Sequence, residues 1–238
     1  MNAARFLEWD TQFFGVRIAS IEAESIDDLA WRRALQFCSE QRIQCLYVLA
    51  TGPADERRAE QAGGQRTGLR LALERPPEAP PCALPEPGRI RPALEADIPG
   101  LRAIAMRAHT DTRFYADGRF ARERCDELYA TWIEKSVRGW AEVVFTSGPP
   151  GAPLGYLSWH ARAQHSELGL VAVAEQARAQ GLGRELVAAG LQRSAERGLP
   201  ARVVTQGDNE VAVALYRKCG FEPRGVQSWF HIWFEDRP

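Results

Sequence analysis

No apolar run in this 238-residue chain approaches the roughly 18 residues a membrane span needs, so no transmembrane helix is expected. The opening residues MNAARFLEWDTQFF hold no basic stretch leading into an apolar core, so no secretory leader is expected, and a cytoplasmic protein is. No two cysteines form a CxxC pair. Cys38, Cys45, Cys82, Cys125 and Cys219 are odd in number and scattered, which suits incidental thiols in a reducing compartment rather than a disulfide framework. The four histidines lack ligand spacing too. His160 and His165 flank a loop between two expected strands, and no metal is expected. An excess of charge of either sign is also missing, with 30 basic side chains against 31 acidic ones. That balance points to neither nucleic acid nor a membrane surface as partner.

What is present is an ordinary globular composition, 45% hydrophobic and 26% charged, with chain enough for one large or two small domains. Proline gathers in one place: residues 74–88 hold six of the 15. Proline removes donors and biases its predecessor toward extended backbone, so a semi-rigid linker over 76–88 separates a 1–75 segment from an 89–238 segment.

Periodicity gives the coarse elements. In the first segment a strand is expected over 16–21, a helix over 27–41 capped by Asp27 or Asp28, an all-apolar strand over 45–50, a helix over 54–62 closed by Gly63-Gly64, and a strand over 67–73. After the linker come a strand over 89–91, helices over 97–108 and 120–137, and strands over 140–145 and 154–159 joined by Gly148-Pro-Pro-Gly151. A strand over 167–173, a helix over 181–196, a strand over 202–205, a helix over 210–219 and a strand over 226–234 follow. The segments echo one another. Aligning Gly63-Gly64 with Gly220-Phe221 sets Ala59 against Tyr216 and Gly52 against Asn209.

The chemistry concentrates at Arg178-Ala-Gln-Gly181-Leu-Gly183, after the apolar strand LGLVAV and before an amphipathic helix. First-turn N–H groups have no intrahelical partner, and the helix dipole favours negative charge there. By itself this turn reads better as a helix start with no ligand. There is no GxxxxGK[ST], and the turn is RxxGxG rather than GxGxxG, so P-loop and dinucleotide sites are set aside. Downstream lies Asn209-Glu-Val-Ala212-Val-Ala-Leu215-Tyr216-Arg-Lys-Cys-Gly220-Phe221, which also reads as a capped helix with Ala212, Leu215 and Tyr216 in the core.

Together, LGLVAV, RxxGxG and NxxAxxLYxxxGF resemble the GCN5-related N-acetyltransferases, over about Ile90 to Phe234. Leu7-Glu8-Trp9-Asp10, Phe13-Phe14-Gly15, Arg113-Phe114-Tyr115 and the stretch Tyr129 to Gly139 resemble the dTDP-fucosamine acetyltransferases. Those acetylate an amino-sugar nucleotide and join an incomplete acetyltransferase-like half to a complete domain. The resemblance implies an α/β protein with a mixed, mostly antiparallel sheet and helices on both faces. It implies acetyl-CoA as donor, its pyrophosphate held by the backbone of Arg178, Ala179, Gln180, Gly181, Leu182, Gly183 and Arg184. Backbone of Leu170, Val171 and Val173 would hold the pantetheine arm and the thioester oxygen, and Asn209 would hydrogen-bond the pantetheine.

Tyr216 matches the family's general acid. A phenol titrates near about 10 and a thiol near about 8.5, so the phenol is protonated at neutral pH and can donate to the leaving thiolate. Its other reading is a core aromatic. Glu167 is the candidate base, or else an exposed strand-end charge. Arg113, Phe114, Tyr115 and Arg119 lie on the loop where acceptors sit in this family and suit a diphosphate and a flat base; the plainer reading is a solvated loop with buried aromatics. The expected partner is a small-molecule amine, foremost a nucleotide-linked amino sugar. Another small amine, an amino acid or a protein N-terminus is the enzymatic alternative, and a non-catalytic coenzyme A-binding or partner-binding module the other. A homodimer is compatible with the sequence. The 1–75 half, with Ala59 in place of Tyr216, is expected to be a degenerate copy.

Overall fold

A computed structural model of the chain describes residues 4–22, 26–76, 79–80, 82 and 85–234. Residues 77–78, 81 and 83–84 of the expected linker lie outside the described residues. In chain order the elements are β1 (Arg5–Phe6), α1 (Glu8–Phe14), β2 (Ile18–Glu22), α2 (Asp28–Glu40), β3 (Cys45–Ala50), α3 (Pro53–Gln61) and β4 (Gln65–Arg75). Then follow β5 (Ile90–Pro92), α4 (Ile98–Ala108), α5 (Arg113–Ala116), α6 (Arg122–Lys135), β6 (Val143–Ser147), β7 (Gly155–Ala161) and β8 (Ser166–Val173). The chain closes with α7 (Leu182–Glu196), β9 (Ala201–Gln206), α8 (Glu210–Lys218) and β10 (Glu222–Trp233). No described helix is long and apolar enough to cross a membrane.

The chain groups into two compact units. The first takes the described residues of Met1–Arg70, Thr112–Arg124 and Val226–Pro238; the second is Leu71–Asp111 with Cys125–Gly225. In the first unit β3 lies between β2, to which it is parallel, and the Ser228–Trp233 stretch of β10, to which it is antiparallel. That central place explains the all-apolar CLYVLA: all six residues are buried, because both faces are covered. Leu46 and Val48 share a core with Ala34 and Cys38 of α2 and with Ile21, Phe230 and Ile232. Asp27 caps α2, its Oδ1 accepting from the Ala30 N–H at 2.7 Å.

In the second unit the strand order is β9-β8-β7-β6-β5, with β8 and β9 parallel and the other neighbours antiparallel. Alternation along β7 sends Leu157 and Trp159 to one face, into a core with Leu186, Val187 and Leu191 of α7. Trp159 Nε1 donates to Ser194 Oγ there at 3.0 Å. Tyr156 faces the other way. Its hydroxyl shares a hydrogen bond of 2.9 Å with His109 Nε2, where α4 ends, and the His109 ring stacks on Tyr129 of α6. Burial pushes His109 down to about 4, which keeps it neutral. Helices therefore cover both faces of a mixed sheet, as expected.

The internal echo is structural. Each copy runs strand, helix, parallel strand, helix, strand. Gly52 is the N-cap of α3 and Asn209 the N-cap of α8. Gly64 N–H bonds Ala59 O at 2.8 Å, and Phe221 N–H bonds Tyr216 O at 3.0 Å. Gly63 and Gly220 both take the left-handed φ that ends a helix, 81° and 83°.

Three expectations change. The strand expected over 140–145 starts only at Val143, because Ser136–Trp140 forms a π-type turn with Gly139 at φ 107°. The polar stretch 110–118 contains the short helix α5. Helix α1, not anticipated, closes on Gly15 at φ 73°.

A buried ion pair locks the start of the second unit. Asp97, fully buried, takes both guanidinium ends of Arg91 at 2.7 and 2.9 Å and also accepts from the Leu94 and Gly151 N–H groups. The Arg91 hydrogen bonds, outweighing burial, hold its pKa at about 2 rather than 3.8. A depressed carboxylate stabilises the fold above its ordinary pKa and loses that contribution as pH falls toward its folded one. Asp97→Asn should therefore cost about 2–3 kcal/mol at neutral pH. In urea melts, the difference from wild type should shrink between about pH 4 and pH 2.

Candidate functional site

Strand β8 parts from its parallel neighbour halfway along. Ser166, Glu167 and Leu168 pair with Ala201, Arg202 and Val203, and among the described residues the register ends there. Both strands continue, β8 to Val173 and β9 to Gln206. The cause lies on the other side of β8. Leu157 pairs with Val171 and Trp159 with Leu168, so Gly169 and Leu170 together oppose Ser158. That is a β-bulge, which bends the strand that carries it. Ser158 Oγ pins it by accepting from the Leu170 N–H at 2.8 Å. A side chain at 169 would collide with this pin: a Cβ there would stand 2.6 Å from Ser158 Oγ and 3.0 Å from His160 Nε2.

Among the described residues, Val171, Ala172 and Val173 thus pair with β7 alone. Of the three expected contacts there, Leu170 has its N–H engaged by Ser158, whereas Val171 and Val173 pack their side chains on the α7 core.

The second component is the start of α7. Gly181 is the N-cap, at φ 80°, and the Arg184 and Glu185 N–H groups both donate to its carbonyl. The N–H groups of Leu182 and Gly183 therefore precede the helical ladder. Ala179 also lies at φ 60°, unusual for a residue with a Cβ. Ala179 and Gly181 are thus two left-handed residues within the turn that leads into α7. The matching helix in the first unit differs: Asp27 already supplies a carboxylate to the α2 start. At α7 the cap is glycine and supplies none. A Cβ on Gly183 would stand 3.4 Å from Leu215 and 3.7 Å from Val173, so the end of β8, the start of α7 and helix α8 converge there.

Tyr216 follows Leu215 on α8. It is 4% exposed, and its ring packs edge-on against Phe221. Burial pushes its pKa up, so the phenol stays protonated at neutral pH. Asn209 uses both ends of its amide inside the protein: Oδ1 accepts from Ala212 N–H at 2.9 Å and Nδ2 donates to Asp111 at 2.8 Å. Glu167 is the second residue of β8, paired in register with His160, and Arg162 holds its Oε2 at 2.7 Å.

The four expected acceptor residues belong to the first unit. Arg113 is caged by rings, its Cζ 4.0 Å from the Tyr47 centroid, 4.2 Å from Phe114 and 4.3 Å from Trp229. Its NH1 lies 2.9 Å from His231 Nε2. An arginine only donates, so Nε2 accepts, and the ring proton sits on Nδ1, donating to Asp117 Oδ2 at 2.7 Å. Trp233 Nε1 donates to the same oxygen. Phe114 is buried, whereas Arg119 is exposed beside Trp233 and Tyr115 lies under Arg122. Tyr47, Asp117 and His231 were missed from sequence; the alternation of Trp229, His231 and Trp233 on one face was the available signal. Ser158, His160 and Gly169 were missed as well. A groove of about 480 Å³ between β5, β6 and α7, lined by Ile90, Phe145 and Arg193 among others, holds none of the expected site residues.

A mixed sheet parted between parallel strands, beside a glycine-capped helix start, is the arrangement of an acetyltransferase. Residues 101–221 match the profile of the Acetyltransferase (GNAT) family, and the chain belongs to that family, whose donor is acetyl-CoA. It is 29% identical over 230 residues to a dTDP-fucosamine acetyltransferase of Escherichia coli O6:H1, covering 94% of this chain and 96% of that one. It is 28% identical over 206 residues to a mycothiol acetyltransferase of Nocardia farcinica, covering 75% of this chain and 65% of that one. A GCN5-related N-acetyltransferase from Kribbella flavida shares the fold, with TM-score 0.65 at 17% identity over 99% of this chain and 89% of its own.

If the bulge shapes the donor site, Gly169→Ala should weaken acetyl-CoA binding about tenfold, the scale of one lost backbone hydrogen bond, with the circular dichroism spectrum kept. Calorimetric titration reads this directly.

Proposed function

We propose that this chain transfers acetyl from acetyl-CoA to the amino group of a nucleotide-linked amino sugar. The observation that carries the donor half is the opened edge of β8 beside the α7 start. In this reading the Gly169–Val173 edge takes the pantetheine arm as an added strand, and the Arg178–Arg184 backbone takes the pyrophosphate. Since Leu170 is engaged by Ser158, Val171 and Val173 are the better-placed partners for the arm. Asn209 reaches the arm by exchanging its bond to Asp111. Tyr216 donates the proton that the departing thiolate needs.

The acceptor half rests on the near end-to-end likeness to the dTDP-fucosamine acetyltransferase and on the caged Arg113. A guanidinium held flat by three rings, with one edge spent on His231, has its other edge to offer a phosphate. Arg119, Tyr115 and the tryptophans of β10 supply further charge and flat surface. The likeness to mycothiol acetyltransferases favours, as second reading, a different small amine. Residues 1–75 act as a degenerate copy, since Ala59 stands where Tyr216 stands and Asp27 fills the helix start. We further propose a cytoplasmic enzyme, in keeping with five free cysteines, and a homodimer, which sedimentation would test.

Two measurements check this. Thiol release should be faster with dTDP-4-amino-4,6-dideoxygalactose than with free amino sugars, amino acids or peptides; turnover on peptides alone would sink the acceptor assignment. Tyr216→Phe should lower kcat about 100-fold with acetyl-CoA binding intact; unchanged turnover would return Tyr216 to the core.

A further inference from the structure

The amine must give up a proton, and Glu167 is already committed to Arg162 through two contacts on Oε2, at 2.9 and 2.7 Å. The strand opposite carries a better-placed group. Alternation along β7 turns His160 to the same face as Tyr156 and Ser158, away from α7. A Cβ on Gly169 would meet His160 Nε2 at 3.0 Å and Cδ2 at 3.2 Å, so that ring edge lies against the bulge. The Trp140 backbone, at the end of the π-type turn of Ser136–Trp140, favours the protonated ring. The Trp140 ring stands edge-on at 6.2 Å. His160 is 9% exposed, whereas His231 is sealed at 0%.

We propose that His160 Nε2 is the group that accepts the amine proton during acetyl transfer, working at the Gly169 bulge. This rests on the acetyltransferase reading above. The neutral amine attacks the thioester carbon, forming the N–C bond and moving the carbonyl π electrons onto oxygen. The positively charged nitrogen then passes one proton to His160 Nε2. Collapse re-forms the carbonyl and breaks the C–S bond, and the thiolate takes the Tyr216 proton. Imidazolium loses its proton to solvent and tyrosinate regains one, so amine and thioester become amide and thiol with no net proton change. The charged groups facing His160 are Glu167 of β8 and Arg162 just beyond β7. Burial lowers its pKa from 6.5, Glu167 opposes this and Arg162 adds to it, so the ring is neutral and ready at neutral pH. The Glu167 charge then steadies the imidazolium that forms.

The test uses the full chain, acetyl-CoA and dTDP-4-amino-4,6-dideoxygalactose, with kcat/KM followed from pH 5 to 9 and donor binding measured by calorimetry. His160→Gln should bind acetyl-CoA like wild type, lose about 100-fold in kcat/KM at neutral pH and lose the lower acid limb of the profile. Glu167→Gln should lose less than about tenfold and move that limb to lower pH, because a charge that raises the imidazole pKa is gone. In wild type, the His160 pKa read by nitrogen-15 NMR should coincide with the limb, a check that needs no variant. A His160→Gln protein with a wild-type rate and profile, or a limb that does not match the His160 titration, overturns the proposal. Wild type that releases no thiol at all overturns the parent reading instead.

Discussion

The hydrogen bond from Leu170 N–H to Ser158 Oγ governs how this sheet can be used. A strand between two partners normally spends every backbone group on them. Here two residues of β8 are fitted opposite one of β7, and the bend that results coincides with the end of pairing to β9. The cost is a gap in a parallel sheet. The gain is a backbone edge whose donors and acceptors lie at the spacing an extended chain requires. Gly169 is the residue that permits it, since no side chain fits between the strand and Ser158.

The two copies of the strand-helix-strand-helix-strand unit differ at a few positions. Both have parallel strands, and both end their second helix on a left-handed glycine. At α2 the side chain of Asp27 satisfies the helix start; at α7 the glycine cap supplies no side chain to do so. At the end of the second helix, Ala59 occupies the place of Tyr216. The first unit spends its polar groups differently, threading Arg113, His231 and Asp117 into a chain among aromatic rings. Tyr47 OH and Thr112 Oγ1 are buried there without a partner among the described residues.

Elements governed by local pattern were legible in the sequence. The fully buried β3 showed as an unbroken apolar run, α8 by its Asn209 cap and terminal glycine, and the repeat by its paired glycines. What sequence did not reveal depends on partners distant along the chain. In SELGLVAV only Gly169 hints at a bulge, whose position is set by register with Ser158. Trp140 read as a strand residue because alternation continues through it, while Gly139 turns the backbone. His160 and His165 were weighed only as a metal pair, and the strand that aims His160 at Gly169 was not visible. The helix start was expected at Asp208 or Asn209 and falls at Asn209, whose bond to Asp111 joins residues about a hundred positions apart.

The claim on which the rest stands is that the parted edge of β8 and the start of α7 form one donor site. Amide hydrogen exchange, with and without acetyl-CoA, measures this most directly. The account predicts slowed exchange over Gly169–Val173 and over Ala179–Gly183, with the matching segments around β2 and the α2 start unchanged. Exchange at β8 that is indifferent to acetyl-CoA, or protection centred on the first unit, would contradict it.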